Sequence, residues 1–287
     1  MIGRTTEHTT RGVWCPTLTP LDARLDPDLK KLTVHCAWLL EHGCHGIVLF
    51  GTTGEANSFT VDERRRVLEG VLGSGISADS LIIGTGCCSA GDTVTLTKHA
   101  VGSGCARVLV LPPFYYKGVS EQGTIDAFSR EIDQVADPRL RFFFYRIPQL
   151  SGVDITATVV DALIERFGTQ IAGLKDSSTD RESIEALCRR FGNRLDVLVG
   201  SERFLKRALE CGASGCISAT ANVHAPIIRE VFDDPTDEAQ RRATLAREAY
   251  ESSPMIPALK AATARRINDD GWLRVRPPLV AAAPIGG

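Results

Sequence analysis

The chain has 287 residues, of which 43% are hydrophobic and 24% are charged, and this composition is typical of a globular protein with a full core. Its net charge of −2 provides no basic surplus for nucleic acid or an anionic membrane, and no apolar run approaches the roughly 18 residues of a membrane span. The polar N-terminal residues lack the apolar core of an export signal, and the nine cysteines include no Cys-x-x-Cys pair. We therefore expect a cytoplasmic protein with reduced thiols and no nucleic-acid or membrane partner.

Apolar strand-like segments and amphipathic helical patterns alternate along the chain. In the first helical pattern, for example, Leu32, Cys36 and Leu39 fall on one face. The strands are predicted at residues 12–20, 46–51, 81–86, 107–113, 141–148, 171–177, 196–200 and 215–220. The helices between them are predicted at roughly 28–42, 62–72, 90–103, 121–136, 156–166, 180–191 and 202–211.

The eight predicted strands are continuous hydrophobic runs, which are typical of parallel sheets covered on both faces. Eight strand–helix units in a chain of this length predict an α/β fold, the (β/α)8 TIM barrel, over residues 1–222. After the eighth strand, about three more helical segments occur in residues 223–268. We therefore expect residues 223–287 to form a C-terminal helical extension of the barrel.

Three polar features end predicted strands, where active sites lie in this fold. Strand two ends in Gly-Thr-Thr-Gly-Glu at residues 51–55, and the hydroxyls and close backbone N–H groups of such a turn suit a carboxylate. Strand five carries Tyr145 after three phenylalanines, and strand six ends in Lys175 after four apolar residues. These features predict a substrate site at the mouth of the barrel.

Lys175 stands where burial disfavours an ammonium ion, so it needs either a partner or a reason to be neutral. Asp176 is a candidate partner, but adjacent strand residues point to opposite faces. For Tyr145, the alternative is a core tyrosine bonded to a carbonyl. Of the other six lysines, Lys117 follows an aromatic turn and is expected to be exposed. The remaining five fall in helical patterns and are expected on solvated faces: Lys30, Lys31, Lys98, Lys206 and Lys260.

A lysine, a tyrosine and a Thr-Thr anion cradle at one barrel mouth favour covalent catalysis through an imine. A neutral amine attacks a ketone, water leaves, and the protonated imine accepts electrons from the carbon–carbon bond that breaks. Partial desolvation favours the neutral amine, and a nearby phenol can move protons to and from the substrate oxygen. We therefore predict that Lys175 forms a Schiff base.

Two other motifs suggest different chemistry and are weaker. The sequence LIIGTGCCSAG at residues 81–91 resembles a dinucleotide-binding loop, but Ser89 replaces its third glycine. His42 and His45 flank Cys44 and suggest a metal site, yet they fall at a helix-to-strand turn, on the barrel end opposite the chemistry. We interpret the first as a barrel turn and the second as a solvated turn, and we expect no metal site.

Five segments fall in the order and spacing of one family: GTTGE (51–55), PFYY (113–116), YRIP (145–148), GLKD (173–176) and CISATANV (216–223). Over roughly residues 12–230 the chain resembles the pyruvate-dependent class I aldolases, the family of dihydrodipicolinate synthase and N-acetylneuraminate lyase. The resemblance implies a barrel with a C-terminal helical domain and a homotetramer arranged as a dimer of dimers. It also implies chemistry without a metal or a cofactor.

The resemblance also implies roles for individual residues. Lys175 matches the imine-forming lysine, and Tyr145 matches the proton-shuttling tyrosine with Thr52 in its relay. Thr53, with the adjoining backbone at Gly54, matches the pyruvate-carboxylate site.

Further positions match residues around the same site. Tyr115 matches an aromatic residue that reaches into the site of a neighbouring subunit, although Tyr116 is a rival by one residue. Gly200 and Ile217, at the ends of strands seven and eight, match positions that line the pocket.

The substrate prediction rests on one residue that differs from the pattern of the synthase branch. In the synthase branch, the residue two after the proline of Tyr-x-x-Pro is an arginine that holds the carboxylate of an amino-acid aldehyde, and here it is Leu150. Arg146 neighbours Tyr145 and is expected on the opposite strand face. Candidates to bind substrate hydroxyls are Ser201, Glu202 and Ser218.

We therefore favour an aldolase or lyase that releases pyruvate from a 2-keto-3-deoxy sugar acid or a related 2-oxo acid. The alternatives are 4-hydroxy-tetrahydrodipicolinate synthase, which condenses pyruvate with aspartate semialdehyde, a related dehydratase, and a non-catalytic keto-acid binder. The intact set of Lys175, Tyr145 and Thr52 argues against a binder, because a binder needs no imine.

Overall fold

The computed structural model of the protein describes residues 10–251 and 254–282. Eight parallel strands form a closed barrel, in which each strand pairs with its neighbours in chain order and the last pairs with the first. This arrangement confirms the predicted (β/α)8 barrel. The strands are β1 Gly12–Pro16, β2 Gly46–Leu49, β3 Leu81–Gly84, β4 Arg107–Val110, β5 Arg141–Arg146, β6 Ile171–Asp176, β7 Asp196–Val199 and β8 Gly215–Ile217.

The helices follow the strands in alternation. The boundary expected between residues 222 and 223 falls inside the helix that follows β8, and the division of the chain at that point stays a prediction. The helices are α1 Leu29–Glu41, α2 Val61–Gly73, α3 Ala90–Gly102, α4 Glu121–Val135, α5 Pro148–Ser151, α6 Ala157–Phe167, α7 Arg181–Phe191, α8 Leu205–Glu210, α9 Ala221–Asp233, α10 Asp237–Glu248 and α11 Met255–Ile267.

Side-chain caps fix where most of the barrel helices begin. Thr60 accepts a hydrogen bond from the backbone N–H of Glu63, and the Glu63 carboxylate accepts one from the backbone N–H of Thr60, which completes a capping box before α2. Other N-cap side chains that accept a hydrogen bond from the first turn belong to Asp28, Ser89, Ser120, Thr156 and Asp180. Because these residue types stop a helix locally, the predicted starts of α1 to α4, α6 and α7 agree with the structure to within one residue.

Successive strand residues alternate between two hydrophobic layers. On β2, for example, Ile47 and Leu49 pack outward against the helices while Val48 packs inside the barrel. Tyr145 belongs to the inner layer. The other buried members of that layer are Trp14, Val48, Ile82, Leu109, Phe143, Ile147, Leu198 and Ile217. The pleat of the strands therefore determines which side chains can reach the barrel mouth.

Helix α11 is attached to the barrel through a buried ion pair. Lys260 Nζ lies 2.5 Å from Glu55 Oε1, and both side chains are fully buried. Lys260 also donates a hydrogen bond to the carbonyl of Arg274 at 2.7 Å, and Glu55 accepts one from the backbone N–H of Arg276 at 3.1 Å. The expectation that Lys260 lies on a solvated face is therefore wrong, since α11 packs its lysine against the turn that follows β2.

Within residues 10–251 and 254–282, no helix combines the length and the apolar composition needed to cross a membrane.

Candidate active site

Lys175 lies at the C-terminal end of β6, in register with Tyr145 on β5 and Leu198 on β7. Its side chain is only 4% exposed, and Nζ lies 4.2 Å from the centre of the Tyr145 ring. In the part of the chain that the structure describes, no carboxylate lies within ion-pair distance of this amine. Lys175 is thus a buried amine without a counter-charge from residues 10–251 or 254–282.

The neighbouring carboxylate is held by a different cation. Asp176 is fully buried, and its Oδ2 accepts a hydrogen bond from Arg146 Nη1 at 3.0 Å. Arg146 also donates from Nε to Asp154 Oδ1 at 2.6 Å. Arg146 and Asp176 face away from the barrel interior, as expected from strand alternation. The structural ion pair considered for Lys175 does not form, and the Arg146 guanidinium is engaged outside the mouth.

A hydroxyl pair lies beside the amine. The Tyr145 hydroxyl is 3.1 Å from Thr52 Oγ1, where either oxygen can donate the hydrogen bond. Thr52 belongs to the turn that follows β2, so this contact joins two strand ends across the mouth. A phenol bonded to a hydroxyl, with its ring under an amine, can exchange protons with a substrate atom bound at that amine.

These groups open into a cavity of about 440 Å³ at the C-terminal end of the barrel, a volume in the roughly 300–1,000 Å³ range of small-molecule sites. Leu150, on the short helix α5, is 62% exposed at its rim. The predicted site residues that line the cavity are Thr52, Thr53, Tyr145, Leu150, Lys175, Gly200, Ser201 and Ile217.

Tyr115 and Gly54 are predicted site residues that lie outside this lining. Tyr115 is 74% exposed and packs edge-on against Tyr116, with 5.3 Å between ring centres, so its insertion into a neighbouring subunit stays a prediction. A Cβ atom at Gly54 would lie only 2.9 Å from the carbonyl oxygen of Thr17. Glycine is therefore needed at residue 54 for the close packing of the β2 turn, whatever the backbone there binds.

Glu202 and Ser218 are also buried outside the lining and contact an arginine that the sequence did not single out. Glu202 accepts hydrogen bonds from the hydroxyls of Ser218 and Thr220. Its Oε2 also lies 2.9 Å from Arg247 Nη1. Arg247 lines the cavity, so in this structure Glu202 and Ser218 position an arginine of the cavity lining.

Three charged residues missed by sequence reasoning complete one side of the cavity: Arg203, Arg247 and Glu251, called here the arginine wall. Arg203 belongs to a 3₁₀ turn after β7, Arg247 to the last turn of α10, and Glu251 follows that helix. In a chain with 33 basic residues, an arginine on a charged amphipathic helix carries no local signal of a site.

The two competing motifs have structural explanations. A Cβ atom at Gly86 would lie 2.5 Å from the backbone nitrogen of Leu111, so this glycine serves the close approach of two strand ends. His45 Nδ1 accepts a hydrogen bond from the backbone N–H of Val13 at 3.0 Å, and burial lowers the pKa of this imidazole. Among the described residues, no group of three or more His, Cys, Asp or Glu side chains could hold a metal ion.

Comparison with known proteins identifies the class. Residues 9–264 match the model of the Dihydrodipicolinate synthetase family. The chain is 37% identical over 258 residues to an uncharacterized DapA-like lyase of Chloroflexus aurantiacus, covering 88% of this chain and 85% of that one. It is 30% identical to an N-acetylneuraminate lyase of Danio rerio, covering 77% and 72%.

The solved structures agree. The crystal structure of dihydrodipicolinate synthase from Agrobacterium tumefaciens superposes with a TM-score of 0.89 at 30% identity, covering 95% of this chain and 94% of that one. The fold and the relatives thus define a barrel enzyme of the lyase and aldolase class. The chain belongs to the dihydrodipicolinate synthetase family, which confirms the resemblance inferred from the sequence motifs.

Proposed function

We propose that the protein is a pyruvate-dependent class I aldolase that acts through an imine on Lys175 and cleaves, or forms, a 2-keto-3-deoxy sugar acid. The observation that carries this proposal is the buried Lys175 amine, which lacks a described counter-charge and lies 4.2 Å from the Tyr145 ring. An amine that faces a substrate-sized cavity beside a phenol is the arrangement that imine formation with a keto acid needs.

In the first half of the proposed reaction, the neutral amine of Lys175 attacks the C2 carbonyl carbon of the substrate. The Tyr145 hydroxyl supplies a proton to the carbinolamine oxygen, and water leaves as the protonated imine forms. Thr52, 3.1 Å from that hydroxyl, donates a hydrogen bond to the phenolate that remains. The substrate carboxylate is proposed to bind at Thr53 and the adjoining backbone N–H groups.

In the second half, the Tyr145 phenolate removes the proton of the C4 hydroxyl and the C3–C4 bond breaks. The bonding electrons move to C3 and into the imine, which gives an enamine of pyruvate and a free aldehyde. Protonation of C3 and hydrolysis of the imine then release pyruvate and regenerate Lys175. All atoms and electrons are supplied by the substrate, water and these side chains, so no redox partner is needed.

Borohydride trapping tests the proposed intermediate. Incubation with pyruvate and borohydride is expected to leave a reduced three-carbon adduct on the peptide that contains Lys175, because reduction fixes the imine as a secondary amine. The measurement is peptide mass mapping, and the partly exposed Lys206 serves as the internal control. An adduct on another lysine, or an unmodified Lys175 peptide, would contradict the mechanism.

The substrate assignment depends on the rim of the cavity. Leu150 presents no cation there, and Arg146 is bonded to Asp154 and Asp176. A tail carboxylate at this rim would therefore gain no ion pair from Leu150 or Arg146, which supports a substrate whose tail is not an amino-acid carboxylate. The second candidate is 4-hydroxy-tetrahydrodipicolinate synthase, since the Agrobacterium tumefaciens protein of that fold is called a dihydrodipicolinate synthase. Pyruvate release from a panel of 2-keto-3-deoxy acids separates the two candidates.

The substitution Leu150→Arg is expected to raise kcat/KM for the condensation of pyruvate with aspartate semialdehyde by roughly tenfold. A guanidinium offers two charge-assisted hydrogen bonds to a carboxylate, and the exposed position limits the gain to the low end of about 1.5–3 kcal/mol. Cleavage of a sugar acid is expected to weaken in the same variant. Leu150→Met is the matched control. Efficient condensation by the wild type would contradict the sugar-acid assignment and favour the synthase activity.

A further inference from the structure

The arginine wall is tied together by one carboxylate. Glu251 Oε1 lies 2.9 Å from Arg247 Nε, and Glu251 Oε2 lies 2.8 Å from Arg203 Nη1. Arg247 is held from the other side by the buried Glu202. No acceptor among the described residues bonds to Arg247 Nη2. The wall therefore presents a fixed guanidinium edge that lines the cavity and has N–H groups to donate.

The wall lies across the mouth from the turn proposed to hold the substrate carboxylate. That turn follows β2, and Arg203 of the wall follows β7, with β1 and β8 between them on one side and four strands on the other. A substrate whose carboxylate binds beside Thr53 and whose C2 reaches Lys175 therefore extends its remaining carbons toward the wall.

The charges of the arginine wall determine which chemical groups the substrate carbons near it can carry. Arg203 and Arg247 are paired with three carboxylates, those of Glu202, Glu248 and Glu251. Two positive and three negative groups leave one net negative charge. A phosphate or carboxylate at the end of the substrate would lie beside this net negative charge and be repelled by Glu251, whereas a hydroxyl can accept from Arg247 and donate to Glu251.

We infer that Arg203, Arg247 and Glu251 are specificity residues, which bind the hydroxyl groups of an uncharged substrate tail and reject a tail that ends in an anion. This inference rests on the proposed aldolase function. It makes the aldehyde product a neutral hydroxyaldehyde, and it gives α10, outside the eight strand–helix units, a direct part in substrate choice.

The test compares pyruvate release from a 2-keto-3-deoxyhexonate and from its 6-phosphate. Wild type is expected to prefer the unphosphorylated acid by about 10- to 100-fold in kcat/KM, the range for one hydrogen bond to a charged group. Arg247→Met is expected to lose a similar factor on the hexonate, mainly through KM. The exposed Arg241, which pairs with Glu238 on the same helix at 2.8 Å, supplies the matched control Arg241→Met.

A second variant covers the case in which Arg247→Met fails to fold because Glu202 is left without its cation. Glu251→Gln keeps the shape of the wall and removes one negative charge, so it is expected to shift the ratio toward the 6-phosphate. A wild type that prefers the 6-phosphate or cleaves neither compound, or an unchanged ratio in Glu251→Gln, overturns the inference. Borohydride trapping with pyruvate distinguishes failure of this inference from failure of the proposed function. If the adduct on Lys175 still forms, the aldolase proposal stands; if no adduct forms, both the aldolase proposal and this inference are wrong.

Discussion

Tyr145→Phe is expected to lower kcat by about 10²–10⁴-fold, the usual contribution of a positioned general acid or base. The change removes the hydroxyl that lies 3.1 Å from Thr52 Oγ1 and keeps the ring that packs 4.2 Å from Lys175 Nζ. Proton transfer to the carbinolamine and from the C4 hydroxyl should therefore slow, while the inner layer of the barrel stays filled. The measurement is steady-state kcat beside a thermal melt of each protein.

Tyr250→Phe is the matched control, because the Tyr250 hydroxyl lies 3.3 Å from His224 Nε2 and does not belong to the cavity lining. This control should keep the wild-type rate. If Tyr145→Phe also turns over at nearly the wild-type rate, the phenol is a core residue, as the alternative interpretation of the sequence held.

Lys260→Met is expected to lower the free energy of unfolding by about 3–5 kcal/mol, the cost of leaving one charge of a buried ion pair without its partner. Glu55 would remain fully buried with its Oε1 facing an apolar side chain. Burial lowers the pKa of Lys260 and the Glu55 carboxylate opposes that shift, so the pair is held by mutual compensation. Chemical denaturation of variant and wild type measures the loss.

The double variant Lys260→Met with Glu55→Gln removes both charges and should recover part of the stability. Lys206→Met is the control, since Lys206 forms a partly exposed pair with Glu210 at 2.7 Å, and such pairs contribute about 0–1 kcal/mol. A loss in Lys260→Met no larger than in this control would show that the buried pair does not hold α11 to the barrel.

The sequence by itself determined the barrel and most of its mouth. Continuous apolar runs separated by capped amphipathic helices are local features, and they determine strand order and helix starts without knowledge of distant contacts. Strand alternation is equally local. It correctly placed Arg146 and Asp176 on the outer face and left Lys175 beside Tyr145 at the ends of β6 and β5.

Only the tertiary structure decided the arginine wall and the burial of Lys260. Glu202 and Arg247 are 45 residues apart, and Glu55 and Lys260 belong to a turn after β2 and to α11. An amphipathic pattern tells which face of a helix packs, but the partner of that face depends on how α10 and α11 dock on the barrel. The sequence pattern does not distinguish the charged side chains of such helices from one another. The docking of the helices on the barrel places Arg247 in the cavity lining and Lys260 in a buried ion pair.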